Sequence, residues 1–303
     1  MGGEVRIFDL NFFLKTFLSL VVIFLIAFAG MVIGMLVSGQ DQHAGGDGLA
    51  VINIDGVIID SEPYIKSIRK IRETDSVKAV VVRINSPGGA VATSQEIYEE
   101  IRKLGETMPV VASMGTVAAS GGYYVACAAS AIYANPGTIT GSIGVIAQFA
   151  SYEQLLKWAK LEVEVIKSGE FKDLGSPLRK MPEAERVYLQ TLIDSVHVQF
   201  KDTVSQARSL APQKVDSLSD GRIFTGSQAR DLGLVDHIGT LEVAIAEARE
   251  LGGLDQDSWI REYPMKKKTL LDFVFPETVA KRVALVSPVK TGFGLYYIAD
   301  MAY

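Results

Sequence analysis

The chain has 303 residues, which is enough for one large domain or two small domains with a substantial core. A net charge of −5, without a basic stripe, argues against a nucleic-acid-binding protein, and no nucleic-acid partner is expected. The single cysteine, Cys127, excludes an intrachain disulfide framework and a multi-cysteine metal site. Its small neighbours predict a buried core position for this residue.

An apolar segment without charged residues occupies positions 16–37. As a helix it is roughly 33 Å long, at ~1.5 Å per residue, which is enough to cross the hydrocarbon core of a bilayer. A cleaved signal peptide is the alternative, but its apolar region is shorter, about 7–15 residues. The sequence therefore predicts an uncleaved transmembrane helix.

The basic residues near this segment lie on one side of it. Arg6 and Lys15 precede it, and no Lys or Arg follows it until Lys66. The positive-inside tendency predicts that residues 1–15 are cytoplasmic and that the rest of the chain lies outside the cytoplasmic membrane, in the periplasm or extracellular space. The polar, glycine-rich residues 38–48 are predicted to be a flexible tether.

An α/β domain is predicted over residues 49–265. Continuous apolar, β-branched runs at 49–58, 77–85 and 109–114 indicate strands covered on both faces, as in a parallel sheet. A capping box at 93–96 predicts a helix between the second and third strands, which completes a βαβ unit. Further strands are predicted at 131–134, 163–167 and 258–263, and further helices at 152–160, 183–210, 226–232 and 241–251.

The tail, residues 266–303, has a different composition, with scattered aromatic residues, Pro276, Pro288 and an apolar end. We expect it to be loosely ordered and to dock on the membrane surface or on a neighbouring chain.

Two glycine-rich turns follow predicted strands. Residues 85–89 (NSPGG) let backbone N–H groups point into an open site, as an oxyanion hole requires, although this segment taken alone favours an ordinary strand-to-helix turn. Ser120 follows the third strand and precedes Gly121, which is typical of a sharp bend that exposes a nucleophilic hydroxyl. A helix N-cap serine is the alternative. The N–H of Gly121 is the natural second oxyanion donor.

Two further segments contain polar candidates. Ser142 lies in residues 140–144 (TGSIG), where Thr140 replaces the first glycine of a G-x-S-x-G elbow, so Ser142 fits better as a partner of a catalytic group. Lys172 lies in residues 168–173 (SGEFKD), and a lone lysine is ordinarily a solvated surface charge.

A nucleophilic serine needs a base, which is usually histidine. His43 lies in the tether, and His197 lies in a predicted helix where a structural hydrogen bond is expected. His237, predicted in a turn, is the one histidine candidate that stays open. The lack of a convincing histidine favours a Ser–Lys pair, whose amine is kept partly neutral by apolar neighbours. Phe171 is suited to that role, whereas Asp173 must point away.

Six segments in this order resemble the short form of the signal peptide peptidase A family, membrane-bound proteases of the Clp-protease/crotonase fold group. The resemblance implies a βαβ core with a helical C-terminal portion, spanning about residues 49–252. The segments are 54–56, 85–89, 118–124, 140–145, 168–173 and 220–236.

The resemblance also implies the role of each site residue. Ser120 would attack the peptide carbonyl, and Lys172 would accept its proton. Ser142 would hold the lysine, and the backbone N–H groups of Gly89 and Gly121 would bind the oxyanion.

The family's short form assembles into rings in which neighbouring subunits contribute the serine and the lysine. A homo-oligomer is therefore implied, with remnant signal peptides as substrates and with no metal or cofactor. Three alternatives stay open: a related membrane Ser–Lys protease that cuts a specific membrane protein, a crotonase-like acyl-CoA enzyme, and a scaffold without enzymatic activity.

Overall fold

A computed structural model describes residues 10–38, 46–264 and 295–298. The chain divides into two units between Gly46 and Asp47. The first contains helix α1, Leu10–Ser38, whose window Leu14–Met31 has a mean hydropathy of 2.3 and no buried residue. Among the described residues, α1 alone is long and apolar enough to cross a membrane. A membrane anchor and a signal sequence share these properties.

The second unit is built on a mixed sheet of eight strands, counted over the described residues, in which the pairings are parallel except for one antiparallel pair at an edge. The strands are β1 Gly48–Asp55, β2 Val77–Ser86, β3 Gly88–Ala90, β4 Val110–Ala119, β5 Ala131–Ala134, β6 Ile139–Gly141, β7 Ile223–Thr225, β8 His237–Ile238, β9 Trp259–Tyr263 and β10 Tyr296–Ile298.

The strand order is β7-β6-β4-β2-β1-β9, and β5 and β8 continue the sheet beside the first half of β4. Strands β3 and β10 form a separate antiparallel pair. The helices are α2 Glu62–Arg72, α3 Val91–Gly105, α4 Gly121–Ala126, α5 Glu153–Trp158, α6 Glu183–Arg208, α7 Pro212–Leu218, α8 Gly226–Leu232 and α9 Leu241–Leu251, with a 3₁₀ helix at Glu170–Asp173.

Helices cover both faces of the sheet, which explains the continuous apolar runs. In β1, Leu49 and Val51 face the core on the α9 side, whereas Ala50, Ile52 and Ile54 belong to the larger core on the opposite side. Both sets of side chains are buried. Because successive strand residues point to opposite faces, a strand buried on both sides needs apolar residues at every position. The predicted α/β class and parallel sheet are confirmed.

Most predicted elements are present, and three predictions are wrong. Residues 163–167 form no strand, because their apolar side chains stay exposed and no neighbouring strand pairs with them. The capping box at 93–96 does not exist, since α3 begins at Val91 and Ser94 is buried inside its first turn, where it donates to the carbonyl of Ala90. His237 lies in β8 and not in a turn. Helix α2 was not predicted from the sequence.

Of the predicted tail, the structure describes residues 295–298. The β10 strand docks on β3 of its own chain and buries Tyr297. These four tail residues therefore contact their own domain. The remaining tail residues, and the predicted tether at 39–45 with His43, lie outside the described residues.

Two isoleucines test the two-sided core. Replacing Ile52, which is fully buried in the interior strand β1, by alanine should lower the free energy of unfolding by about 2–5 kcal/mol, because a cavity remains. Ile260, on the edge strand β9, is 44% exposed, and its replacement by alanine should cost less than about 1 kcal/mol. Chemical denaturation of the full chain in detergent measures both values. Equal losses would contradict the placement of Ile52 in the core.

Candidate active site

The bend at Ser120 joins the end of β4 to the start of α4. Ser120 has φ 53° and ψ −116°, a conformation that non-glycine residues rarely adopt. Two backbone hydrogen bonds hold it there: its N–H donates to Gly141 at 2.8 Å, and its carbonyl accepts from Tyr124 at 2.8 Å. The strained backbone is therefore fixed by the strand on one side and by the helix on the other.

The side chain of Ser120 makes no hydrogen bond in the part of the chain that the structure describes. The residue is 1% exposed, and its Oγ is fully buried. Ser120 occupies the N-cap position of α4, but its side chain accepts no hydrogen bond from the N–H groups of this helix. A buried hydroxyl without a partner costs free energy, and such groups occur where a reactant or another chain completes the site.

The glycine turn at 85–89 approaches this bend closely. Gly88 has φ 106°, and a Cβ added there would lie 2.7 Å from the backbone N of Gly121. A Cβ added to Gly121 would lie 3.1 Å from the N of Gly89. At Gly89 an added Cβ would lie 1.9 Å from the carbonyl oxygen of Ile58. The backbones of Gly89 and Gly121 thus come together only because neither residue has a side chain.

Ser142 lies beside Ser120 at the ends of two paired strands. Ala119 of β4 pairs with Gly141 of β6, so each serine is one residue beyond a paired position. Ser142 is also buried, with φ 50°, and its N–H donates to the carbonyl of Arg222 at 2.9 Å. The structure brings Ser120, Ser142, Gly89 and Gly121 to one edge of the sheet.

A cavity of about 440 Å³ opens next to Ser142, and its other lining residues include Ile146, Asp194 and His197. We predicted that His197 makes a structural hydrogen bond. For one ring nitrogen this is wrong, because its Nε2 is buried and has no partner among the described residues. The sequence pattern did not indicate this, because a histidine on a helix face with apolar neighbours is typical of a core position.

Lys172 lies in the 3₁₀ helix, on the surface of the domain. Its side chain is exposed and forms no hydrogen bond or ion pair with the described residues. Asp173 points to other partners, since it accepts from Arg179 at 2.8 Å and from Lys167 at 2.6 Å. These hydrogen bonds hold the pKa of Asp173 well below its usual range. Arg179 also pairs with Glu185 at the start of α6, and so ties the 3₁₀ helix to α6.

The segment around Lys172 exposes an unusual number of large apolar side chains. Trp158 is 82% exposed and Ile166 is 94% exposed. Phe171, next to the lysine, is 43% exposed and packs only partly on Tyr188, with ring centroids 5.2 Å apart. Several large apolar side chains exposed in one segment are typical of an interaction surface. The other exposed members of this apolar surface are Tyr152, Leu155, Leu161, Val163 and Val165.

Two other candidates pack against their neighbours. The ring of His237 lies against that of Tyr133 at an angle of 31°, with centroids 4.8 Å apart. Cys127 is buried as predicted, and burial raises the pKa of its thiol to about 12, so the reactive thiolate does not form at neutral pH.

Two protein-family models match the chain. The Clp protease model matches residues 60–138, and the model of peptidase family S49 matches residues 102–255, half of the chain. The chain belongs to peptidase family S49. It is an S49 protease with a Clp-protease-like core, and the resemblance deduced from the six segments is confirmed at the level of the family.

Curated relatives agree with this family. The S49 chain is 46% identical over 211 residues to the Synechocystis sp. protein named "Putative protease slr0021", covering 69% of the chain and 76% of that relative. It is 33% identical to the "Putative signal peptide peptidase SppA" of Enterococcus faecium, covering 74% and 69%. It is 36% identical to the "Serine protease SPPA, chloroplastic" of Arabidopsis thaliana, covering 80% of the chain but 36% of that longer relative.

The glycine turn provides a test of the site geometry. In this S49 peptidase, Gly89→Ala should lower peptide hydrolysis by at least about 100-fold, because the new Cβ collides with Ile58 and displaces the Gly89 backbone, which lies next to Gly121. Gly137→Ala is the control, since no atom lies within 4 Å of a Cβ added there. A fluorogenic peptide assay, with circular dichroism to check folding, compares them. A well-folded Gly89→Ala protein with full activity would contradict this geometry.

Proposed function

We propose that the chain is a membrane-anchored serine endopeptidase with a Ser–Lys dyad, in which Ser120 is the nucleophile and Lys172 the general base. The observation that carries this proposal is the buried, unpartnered Oγ of Ser120 on a strained bend, beside the backbone N–H groups of Gly89 and Gly121. Strained backbone and orphan polar groups of this kind are characteristic of active sites.

The chemistry follows from this arrangement. The Oγ of Ser120 attacks the peptide carbonyl while the amine of Lys172 takes its proton. The N–H groups of Gly89 and Gly121 stabilise the negative charge that develops on the carbonyl oxygen. The protonated lysine then gives its proton to the leaving amine, and water hydrolyses the acyl-enzyme by the reverse sequence of proton transfers. Ser142 holds the lysine amine by a hydrogen bond.

The lysine of this dyad comes from a second copy of the chain. Lys172 is exposed without a side-chain partner among the described residues, and the apolar surface around it needs cover. The Ser120 hydroxyl lacks a base within its own described chain, and the cavity beside Ser142 has room for a lysine side chain. In a closed homo-oligomer with head-to-tail contacts, every subunit receives a lysine from one neighbour and supplies its own lysine to the other.

The proposed location and substrate rest on α1 and on the relatives. We propose that α1 anchors the chain in the cytoplasmic membrane, with its basic N-terminal flank inside and the peptidase unit outside. The substrates are apolar peptides released from membranes, with remnant signal peptides as the first class to test, as the name of the Enterococcus relative suggests. Cleavage of a signal peptide, compared with cleavage of other apolar tails, separates this substrate from a specific membrane-protein partner.

Mixing two inactive variants tests the shared site. Ser120→Ala and Lys172→Ala should each abolish hydrolysis of a synthetic signal peptide, whereas Lys180→Ala, an exposed lysine of the same segment, should not. Random mixing of the two inactive subunits should restore about a quarter of the wild-type rate, because that fraction of neighbouring pairs combines an intact serine with an intact lysine.

Exchange of subunits must be followed in the same sample, by mass tags on each variant. No recovery despite exchange would contradict a dyad shared between chains. His197→Gln separates the two possible bases, because it should keep activity if Lys172 is the base. An inactive His197→Gln protein together with an active Lys172→Ala protein would make histidine the base and overturn the dyad.

Membrane fractionation tests the anchor. The full chain should stay in the membrane pellet after an alkaline carbonate wash, and a chain starting at Asp47 should be released. Protease added to spheroplasts of an expressing bacterial host should digest the peptidase unit. Protection of that unit in intact spheroplasts, with digestion after lysis, would contradict the proposed orientation.

A further inference from the structure

The strand β10 lies between two backbone edges at the candidate active site. On one side it pairs antiparallel with β3, with Tyr296 opposite Ala90 and Tyr297 opposite Gly89. On the other side, Tyr296 exchanges two hydrogen bonds of 3.1 Å with Ile146, one from each backbone N–H. An extended segment held by main-chain hydrogen bonds on both sides is the geometry in which proteins bind peptides by strand addition.

The carbonyl oxygen of Tyr297 lies at the two backbone N–H groups that face the site. The strand register places Tyr297 directly opposite Gly89. A Cβ added to Gly121 would lie 3.1 Å from both the oxygen of Tyr297 and the N of Gly89. A Cβ added to Gly88 would lie 2.0 Å from the same oxygen and 2.7 Å from the N of Gly121. The carbonyl of Tyr297 therefore lies beside the two N–H groups that we assign to the oxyanion hole, as the carbonyl of a bound substrate would.

The side chain of Tyr297 fills an aromatic pocket. It is fully buried, with ring centroids 5.3 Å from Tyr124 and 4.7 Å from Phe200. Its hydroxyl donates to the carbonyl of Val196 at 3.2 Å, and burial raises the pKa of this phenol above its usual range. Tyr296, one residue earlier, is only half-buried. Alternate side chains of a strand point in opposite directions, so the site selects one of the two tyrosines.

We propose that residues 295–298 occupy the substrate cleft of this peptidase as an internal competitor, and that the pocket of Tyr124, Phe200 and Val196 is its primary specificity pocket, which selects an aromatic residue on the acyl side of the cut. This inference rests on the proposed function of Ser120. It adds the preferred side chain and a form of self-regulation that follows from the fold.

Residues 295–298 compete with a substrate peptide because they are covalently linked to the domain that binds them. A segment tethered to its own domain acts at an effective concentration of order mM, so a peptide supplied from solution has to displace it. The result is a raised apparent KM with an unchanged kcat, since the emptied cleft is the same in every case. A substrate with an aromatic residue at the matching position regains the contacts with the aromatic pocket that Tyr297 gives up.

Matched peptides and matched variants test the inference in the full-length chain in detergent. Two fluorogenic peptides that differ only by Tyr or Ala on the acyl side of the cut should differ at least about tenfold in kcat/KM, because the pocket loses its aromatic filling. With the tyrosine peptide, Tyr297→Ala should lower the apparent KM by about tenfold at constant kcat. Tyr297→Phe and Tyr296→Ala should change it by less than about threefold, since each keeps an aromatic ring at position 297.

The outcomes separate this inference from the proposed function. Hydrolysis that persists in Ser120→Ala overturns the proposed nucleophile. Hydrolysis that requires Ser120 but shows no preference for tyrosine over alanine overturns the specificity pocket alone. Equal KM values for wild type and Tyr297→Ala, or equal shifts for Tyr297→Ala and Tyr296→Ala, overturn the internal competition. The peptide comparison uses the wild-type chain, so it stays decisive even when a variant folds poorly.

Discussion

The close approach of the Gly88–Gly89 backbone to the first turn of α4 is the constraint on which the site depends. Strands β2 and β4 are parallel neighbours, so their carboxyl ends reach the same edge of the sheet, and each is followed by a glycine-containing turn. Only residues without a Cβ allow these two turns to come so near. The strained backbone of Ser120, at a cost of about 1–3 kcal/mol, persists because strand and helix hold it from both sides.

The proposed base, Lys172, lies in a different part of the fold from the other site residues. Ser120, the neighbouring Ser142 and the two glycine N–H groups lie at the carboxyl edge of the main sheet, whereas Lys172 belongs to an exposed segment anchored through Arg179 to α6. That segment carries large apolar side chains into solvent, with Ile166 almost fully exposed. A surface of this kind is stable when another subunit covers it. The proposed assembly would bury the apolar surface and deliver the base in the same step.

Much of the fold was predictable from local pattern, because a sheet covered on both faces needs apolar residues at every strand position. The run at β1 and the match of predicted strand 131–134 to β5 follow from that rule. The predicted strand at 163–167 shows its limit, since a β-rich pattern without a neighbouring strand forms no sheet. Ser94 shows another: it looks like part of a cap, but the helix begins three residues earlier, at Val91.

The site was only partly predictable, because it depends on contacts between segments that are far apart in the sequence. The glycines and Ser120 lie in short turns whose role depends on close approach between segments far apart in sequence, and no local pattern reports that distance. The pairing of β10 with β3 joins residues about 200 positions apart through a three-residue strand of glycine and alanine, which has no apolar signature. Likewise, the exposure of Lys172 is a property of tertiary structure.

The identity of the nucleophile is the central claim, and covalent labelling tests it most directly. The full-length chain is treated with a fluorophosphonate, a reagent that reacts with activated serines, and the adduct is located by peptide mass spectrometry. We expect one adduct, on Ser120, with none on the neighbouring Ser142. An adduct on Ser142 with Ser120 unmodified would contradict the account and make the second serine the nucleophile.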